Sequence, residues 1–147
     1  RKSGKASESR TKIMIQKGLY SSFAETHDIH VTVHSKFDPS VSNLSEGQYC
    51  YMYHVTIQNK GQVPVTLMNR YWHITDGLGR IQEVRGEGVI GKRPTLNPGD
   101  KHQYSSFCPL ETQYGVMKGH YEMVTDEGET VFVEVAPFRL AVPHALN

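Results

Sequence analysis

The sequence predicts an all-β protein, an antiparallel β-sandwich of the immunoglobulin or fibronectin type III kind with about seven to eight strands. From residue 18 onward, apolar residues recur mostly at every second position, the period of a strand with one face buried. These runs are separated by Gly-, Pro-, Asn- and Asp-containing turn sequences, with no long helical stripe between them. At 147 residues the chain fits one domain large enough to bury a core without staples.

In "DIHVTVHS", Ile29, Val31 and Val33 point one way and His30, Thr32 and His34 the other, which makes a half-buried strand. "YCYMYHVTIQN" sets Tyr51, Tyr53, Val55 and Ile57 on one face and Cys50, Met52, His54 and Thr56 on the opposite one. "NKG" at 59 to 61 supplies turn chemistry before "VTLMNRYWHIT", so these two strands are expected to pair as a hairpin. "DGLG" at 76 to 79 turns the chain so that "RIQEVRG" pairs back, and "NPGD" at 97 to 100 introduces "HQYSSF". "GHYEMVT" and "TVFVEVAPFRL" are joined through "DEGE" at 126 to 129. The only plausible helical turns lie near "LYSSFAE" or after Leu110, and no internal repeat is present.

Composition excludes several classes. Hydrophobic content of 37% with 21% charged residues is that of a soluble globular protein, and no apolar run reaches the roughly 20 residues of a membrane-spanning helix. Two cysteines, Cys50 and Cys108, are too few for a disulfide scaffold and lack zinc-site spacing; free thiols in a reducing compartment are expected, with a single bridge as the alternative. Residues 1–17 form a leader in which Arg1, Lys2, Lys5, Arg10, Lys12 and Lys17 face only Glu8, a net +5 within an overall charge of +1. Rich in Ser and poor in apolar residues, it is expected to be disordered, with residues 18–147 as the folded domain. It reads either as a solvated tail or as an arm docking on nucleic acid, an acidic partner or a membrane surface, since clustered cations gain by displacing counterions. The start at Arg1 is read as a trimmed or processed end. A cytoplasmic location is expected, with an organelle (mitochondrion or plastid) as the alternative if this leader follows a removed transit peptide.

Gly86, Gly88 and Gly91 in "RGEGVIGKRP" spell GxGxxG, the spacing that cradles a pyrophosphate in dinucleotide-binding proteins. That fingerprint needs a helix opening at the third glycine, whose N-terminal N–H groups meet the phosphates. Here "KRPTLNPGD" follows, with Pro94 and Pro98, and cannot sustain one. Glu111 lies 20 residues after Gly91, where the ribose-binding acid would stand, but no βαβ unit links them. The glycines therefore read first as a sharp connection with positive φ. The second reading is a nest of N–H groups binding an anion, helped by Arg85, Lys92 and Arg93. Among the eight histidines, His30 and His34 share a strand face about 13 Å apart, too far for one ion, and no metal-ligand motif occurs. Ser105 and Ser106 lie near His102 without an orienting acid or oxyanion hole, so no catalytic residue, metal or cofactor is assigned.

The run "NRYWHITDGLGRIQEVRGEGVIGKRPTLNPGDKHQYSS", with "GVMKGHYEMVTDEGE" and "VAPFRLAVP", resembles the ApaG domain over about residues 27–147. The resemblance implies a fibronectin type III-like sandwich. The family occurs as stand-alone bacterial proteins, one linked by genetics to cobalt resistance and magnesium efflux, and as a module in eukaryotic F-box and polymerase-interacting proteins. Its GxGxxG, carried here by Gly86, Gly88 and Gly91, has prompted suggestions of pyrophosphate binding. The basic leader departs from the short bacterial members.

The function expected is a non-catalytic protein-interaction module, by itself or within a larger assembly, homo-oligomers included. Tyr49, Tyr51 and Tyr53 are the candidate partner-binding residues, because aromatics beside a sheet edge give binding energy at little entropic cost. The alternative is a small-ligand role with a phosphate or pyrophosphate anion on the glycine loop, linked to divalent cation (cobalt or magnesium) homeostasis.

Overall fold

The computed structural model describes residues 11–16 and 20–143, and within them ten strands arranged in two antiparallel sheets. The first sheet runs in the order β1 (Lys12–Gln16), β2 (Ser21–Thr26), β3 (Ile29–Phe37), β4 (Tyr49–Asn59) and β8 (Lys101–Leu110). The second runs β10 (Thr130–Ala141), β9 (Tyr114–Thr125), β5 (Val65–Asp76) and β6 (Ile81–Glu87), with the short β7 (Thr95–Leu96) pairing on the first residues of β5.

The alternation read in the sequence sets the core. Val31, Val33, Tyr51, Tyr53, Val55 and Ile57 point inward from the first sheet, and register places Val31 opposite Ile57 and Val33 opposite Val55. Trp72, Ile74, Met117, Tyr121, Val133 and Phe138 answer from the second sheet. Trp72 lies among Tyr53, Tyr121 and Phe138, with ring centroids 5.5, 6.0 and 6.1 Å away. Each such side chain contributes about 1.5–3 kcal/mol on burial, so the inter-sheet layer holds the sandwich together.

Three local expectations are corrected. β4 and β5 are not a hairpin: they lie in different sheets, and the link between them is an arch. The buried Asn59 side chain pins it, donating to the carbonyls of Val63 (2.8 Å) and Leu96 (2.9 Å) and accepting from Gly61 N–H (2.9 Å). "LYSSFAE" supplies β2 rather than a helical turn, and directly after Leu110 the chain bends at residues 111–113 into β9. The inward residues of β2 are small or polar, which hid the strand period but lets β10 pass close. Ser22 Oγ donates to Ala136 O at 2.9 Å, Ser35 Oγ donates to Arg139 O, and Glu134 N–H donates to Thr26 Oγ1 at 3.2 Å. The leader's first ten residues lie outside the described residues, whereas Lys12–Gln16, expected to be disordered, pairs with β2. β1, β2 and β7 bring the strand number above the expected seven to eight.

Candidate functional site

The two long sides of the sandwich differ. On one, β10 is hydrogen-bonded across to β2 and β3 through the serine and threonine contacts above. On the other, β6 and β8 are, among the described residues, the free edges of their sheets, and the inner layer opens between them. Two adjoining hollows of about 520 and 400 Å³ occupy this opening, sharing Ile74, Gln82 and Pro109 in their walls. Ile81, Ile90 and Phe107 stand around it, 63%, 61% and 52% exposed.

β8 has little of the protection that edge strands ordinarily carry. From His102 to Leu110 it contains no Lys, Arg, Asp or Glu, and Pro109 interrupts the edge only near its end. Its inward residues His102, Tyr104, Ser106 and Cys108 alternate with the exposed Gln103, Ser105 and Phe107. Burial, and then the charge of Lys92, hold the His102 imidazole below its ordinary range. Burial pushes the Cys108 thiol up to about 12.

The glycine segment ends β6 and makes a tight reversal. Val89 N–H donates to Lys92 O (2.8 Å), Lys92 N–H donates to Val89 O (3.0 Å), and the two residues between, Ile90 and Gly91, both have positive φ, +48° and +73°. This is the geometry of a type I′ turn. Gly88, at φ +59°, is needed for a second reason: a Cβ there would stand 2.2 Å from Lys92 O. Its N–H donates to Met68 O at 2.8 Å. Three of the loop's N–H groups, those of Gly88, Val89 and Lys92, are therefore spent on protein carbonyls and are not offered to an anion. The flanking cations are directed elsewhere as well. Arg85 lies 4.4 Å above the Tyr71 ring, while Arg93 donates to Met68 O (3.1 Å) and pairs with Glu87 (3.4 Å). Lys92 is exposed.

Tyr51 and Tyr53 are core residues, at 0% and 5% exposure, rather than a surface for a partner. Their parity with Val55 and Ile57 turns them inward, where Tyr51 Oη donates to Thr112 O at 3.1 Å. Tyr49 is half-buried, against Phe37 and beside the larger hollow.

One arrangement escaped sequence reasoning because its members come from two strands. On the outer face of the first sheet, His54 Nδ1 is 2.8 Å from Ser105 Oγ and Nε2 is 3.0 Å from Gln103 Oε1. Gln103 accepting from Nε2–H leaves Nδ1 to accept from the serine. Cross-strand pairing of His54 with Ser105 was the available signal, but it required the β4–β8 register. The relay sits on an exposed sheet face, its third member is an amide rather than a carboxylate, and an oxyanion hole needs N–H donors that a flat sheet face does not direct at one point. Among the described residues no group of three or more His, Cys, Asp or Glu is placed to hold a metal ion, and no helix is long and apolar enough to cross a membrane. Cys50 and Cys108 are free thiols, Cys50 half-buried and Cys108 buried.

Residues 39–125 match the family model described as the ApaG domain. Protein ApaG of Ectopseudomonas mendocina is 46% identical over 121 residues, spanning 82% of this chain and 96% of that protein. Protein ApaG of Mesorhizobium japonicum is 48% identical over 120 residues, spanning 82% and 92%. A crystal structure from Bordetella pertussis described under the name ApaA superposes with a TM-score of 0.77 at 44% identity, covering 79% of this chain and 94% of its own.

Proposed function

We propose, for a chain that belongs to the ApaG domain family, that it is a non-catalytic protein-interaction module and that its contact surface is the open side of the sandwich. The observation that supports this is the uncharged β8 edge from His102 to Leu110 with Phe107 exposed beside an inter-sheet opening. A free edge offers unpaired backbone groups to an added strand, and an exposed aromatic beside it supplies an anchor. The chemistry fitted is that of an extended, largely apolar segment of another protein. The partner surface thus moves from the tyrosines of β4 to the neighbouring strand β8. A cytoplasmic location belongs to the same proposal.

The test places charge on the edge without touching the core. Gln103→Lys and Phe107→Lys, singly and together, replace exposed side chains and are expected to leave the melting temperature within a degree or two. Affinity for proteins that co-purify with the wild-type chain is expected to fall about tenfold or more, the loss of a hot-spot contact of about 1–2 kcal/mol. Partner binding that survives the double substitution at full strength removes β8 from the interface and with it this reading.

A further inference from the structure

The smaller inter-sheet hollow holds a cation where a sandwich core ordinarily has an apolar side chain. β5 begins with Val65 and Leu67 facing inward, and a register shift between Leu67 and Asn69 inserts one extra residue. Beyond that bulge the parity changes, so Arg70 falls on the inward face with Trp72 and Ile74. Gly88 N–H and Arg93 Nε–H both donate to Met68 O, which fixes the bulge. Gly86, directly opposite Arg70 on β6, has no side chain, and the guanidinium lies over it.

Arg70 is half-buried, and its charge lacks a carboxylate partner among the described residues. Nη1 donates to Glu87 O (3.1 Å) and Gly88 O (2.9 Å), while the Glu87 carboxylate is turned to Arg93. The hydroxyls around it belong to Tyr53, Tyr104 and Tyr121, whose ionisation is pushed above the ordinary range mainly by burial, so they stay neutral. The hollow of about 400 Å³ is walled by Tyr53, Trp72, Val84, Tyr104 and Phe107. Trp72, 3% exposed, adds an indole N–H that meets no acceptor in the protein. A guanidinium without its counter-ion, a donor without an acceptor, and aromatic and aliphatic walls around a volume typical of small-molecule sites describe a place for a ligand.

We infer that this cleft binds a small organic carboxylate with an apolar body. The carboxylate takes the remaining N–H groups of Arg70, whose planar fork suits it, and the body lies along the aromatic walls between β6 and β8. One guanidinium matches a single negative charge, and the apolar walls favour a carboxylate on a hydrocarbon over a strongly hydrated inorganic phosphate. The site lies inside the sandwich and centres on Arg70 and Trp72, with Ile90 and Gly91 of the glycine turn and Phe107 of the β8 edge in its walls.

Trp72 is the one tryptophan of the chain, so its emission reports from the wall of the cleft. Titration of the full chain at pH 7.5 and low salt with octanoate is expected to give a saturable change in that emission. Octanol, with the same body and no charge, is expected to bind at least tenfold more weakly, and inorganic phosphate to give no change. Arg70→Met, checked for folding by circular dichroism, should lower octanoate affinity at least tenfold and leave octanol unaffected. Gly86→Ala, which displaces the guanidinium, should weaken octanoate in the same direction. If Arg70→Met does not fold, the wild-type comparison of octanoate with octanol decides. An absence of saturation with octanoate, an equal response to octanol, or a response reproduced by phosphate overturns the inference.

Discussion

The guanidinium of Arg70 lies across the α-carbon of Gly86, its partner on the adjacent strand, so closely that a Cβ on Gly86 would stand 2.8 Å from Cζ and both Nη atoms. The three glycines of GxGxxG thus serve three different needs. Gly86 makes room for a side chain, Gly88 for the backbone carbonyl of Lys92, and Gly91 for a positive φ in open space. Alanine substitution should therefore rank by obstacle. Gly88→Ala meets backbone at 2.2 Å and a φ of +59° together, and is expected to cost about 2–4 kcal/mol. Gly91→Ala meets only the left-handed conformation, about 1–2 kcal/mol. Gly86→Ala displaces the end of a flexible side chain and is expected to cost least, under about 1 kcal/mol. Urea unfolding of the three variants checks the order, and a Gly86→Ala loss as large as that of Gly88→Ala contradicts it.

Ile90 occupies the first central position of the type I′ turn at φ +48°, a conformation that β-branched residues rarely adopt. It is exposed, so core packing does not account for it. Ile90→Asn places a residue suited to that turn and is expected to raise stability by about 0.5–1 kcal/mol. An unchanged or lowered unfolding midpoint would show that the Ile90 side chain contributes more through its contacts at the cleft mouth than its backbone strain costs.

The sandwich was legible because strand parity is a local property: the inward positions of β3 and β4 follow from alternating Val, Ile and Tyr alone. What failed was non-local. The β4–β5 link reads as a hairpin turn from "NKG", and only the bond from the Asn59 side chain to Leu96 O, a carbonyl far along the chain, shows why it crosses between sheets. β2 was missed because Ser22, Ala24 and Thr26 face β10 with small groups instead of large apolar ones. Inward-facing Arg70 depends on a one-residue bulge, which reverses parity within β5 and leaves no clear mark in composition. Alternation places Tyr51 and Tyr53 on one face with Val55 and Ile57, and that face is the core, so the same observation argues against their role as partner contacts.

His102 gives the fold a pH dependence with a definite sign. Its folded-state pKa is depressed, first by burial and then by Lys92, from an unfolded value of about 6.5. Above about pH 6.5 the imidazole is neutral in both states and the native state bears no penalty. As pH falls below that value the unfolded chain takes up the proton first, and stability declines until pH has passed through the lower folded pKa. The chain carries seven further histidines, so the informative quantity is a difference. Melting temperatures at pH 7.5 and 5.5 should fall less in His102→Gln than in the wild-type chain, and an equal fall in both assigns the dependence to other groups.

Cys108 supplies the corresponding effect at the alkaline end. Burial, and secondarily the nearby Cys50, raise its thiol to about 12, above the ordinary range. Since the thiolate is the reactive species, the native protein at pH 7.5 should show almost no alkylation of Cys108 by iodoacetamide, whereas the urea-unfolded chain should react at the rate of a free thiol. Cys50, half-buried and itself shifted up by burial and by Asp38, should react slowly but faster than Cys108 in the native state. The raised pKa also carries a stability consequence. Above about pH 8.5 the unfolded chain loses this proton while the folded chain keeps it, so stability declines as pH rises toward the folded value. Cys108→Ala should therefore flatten the decline between pH 8.5 and 10, read as melting temperature against pH relative to the wild-type chain. Rapid native-state alkylation of Cys108, located by peptide mass spectrometry, would show instead that the inter-sheet opening admits solvent and reagent down to the thiol.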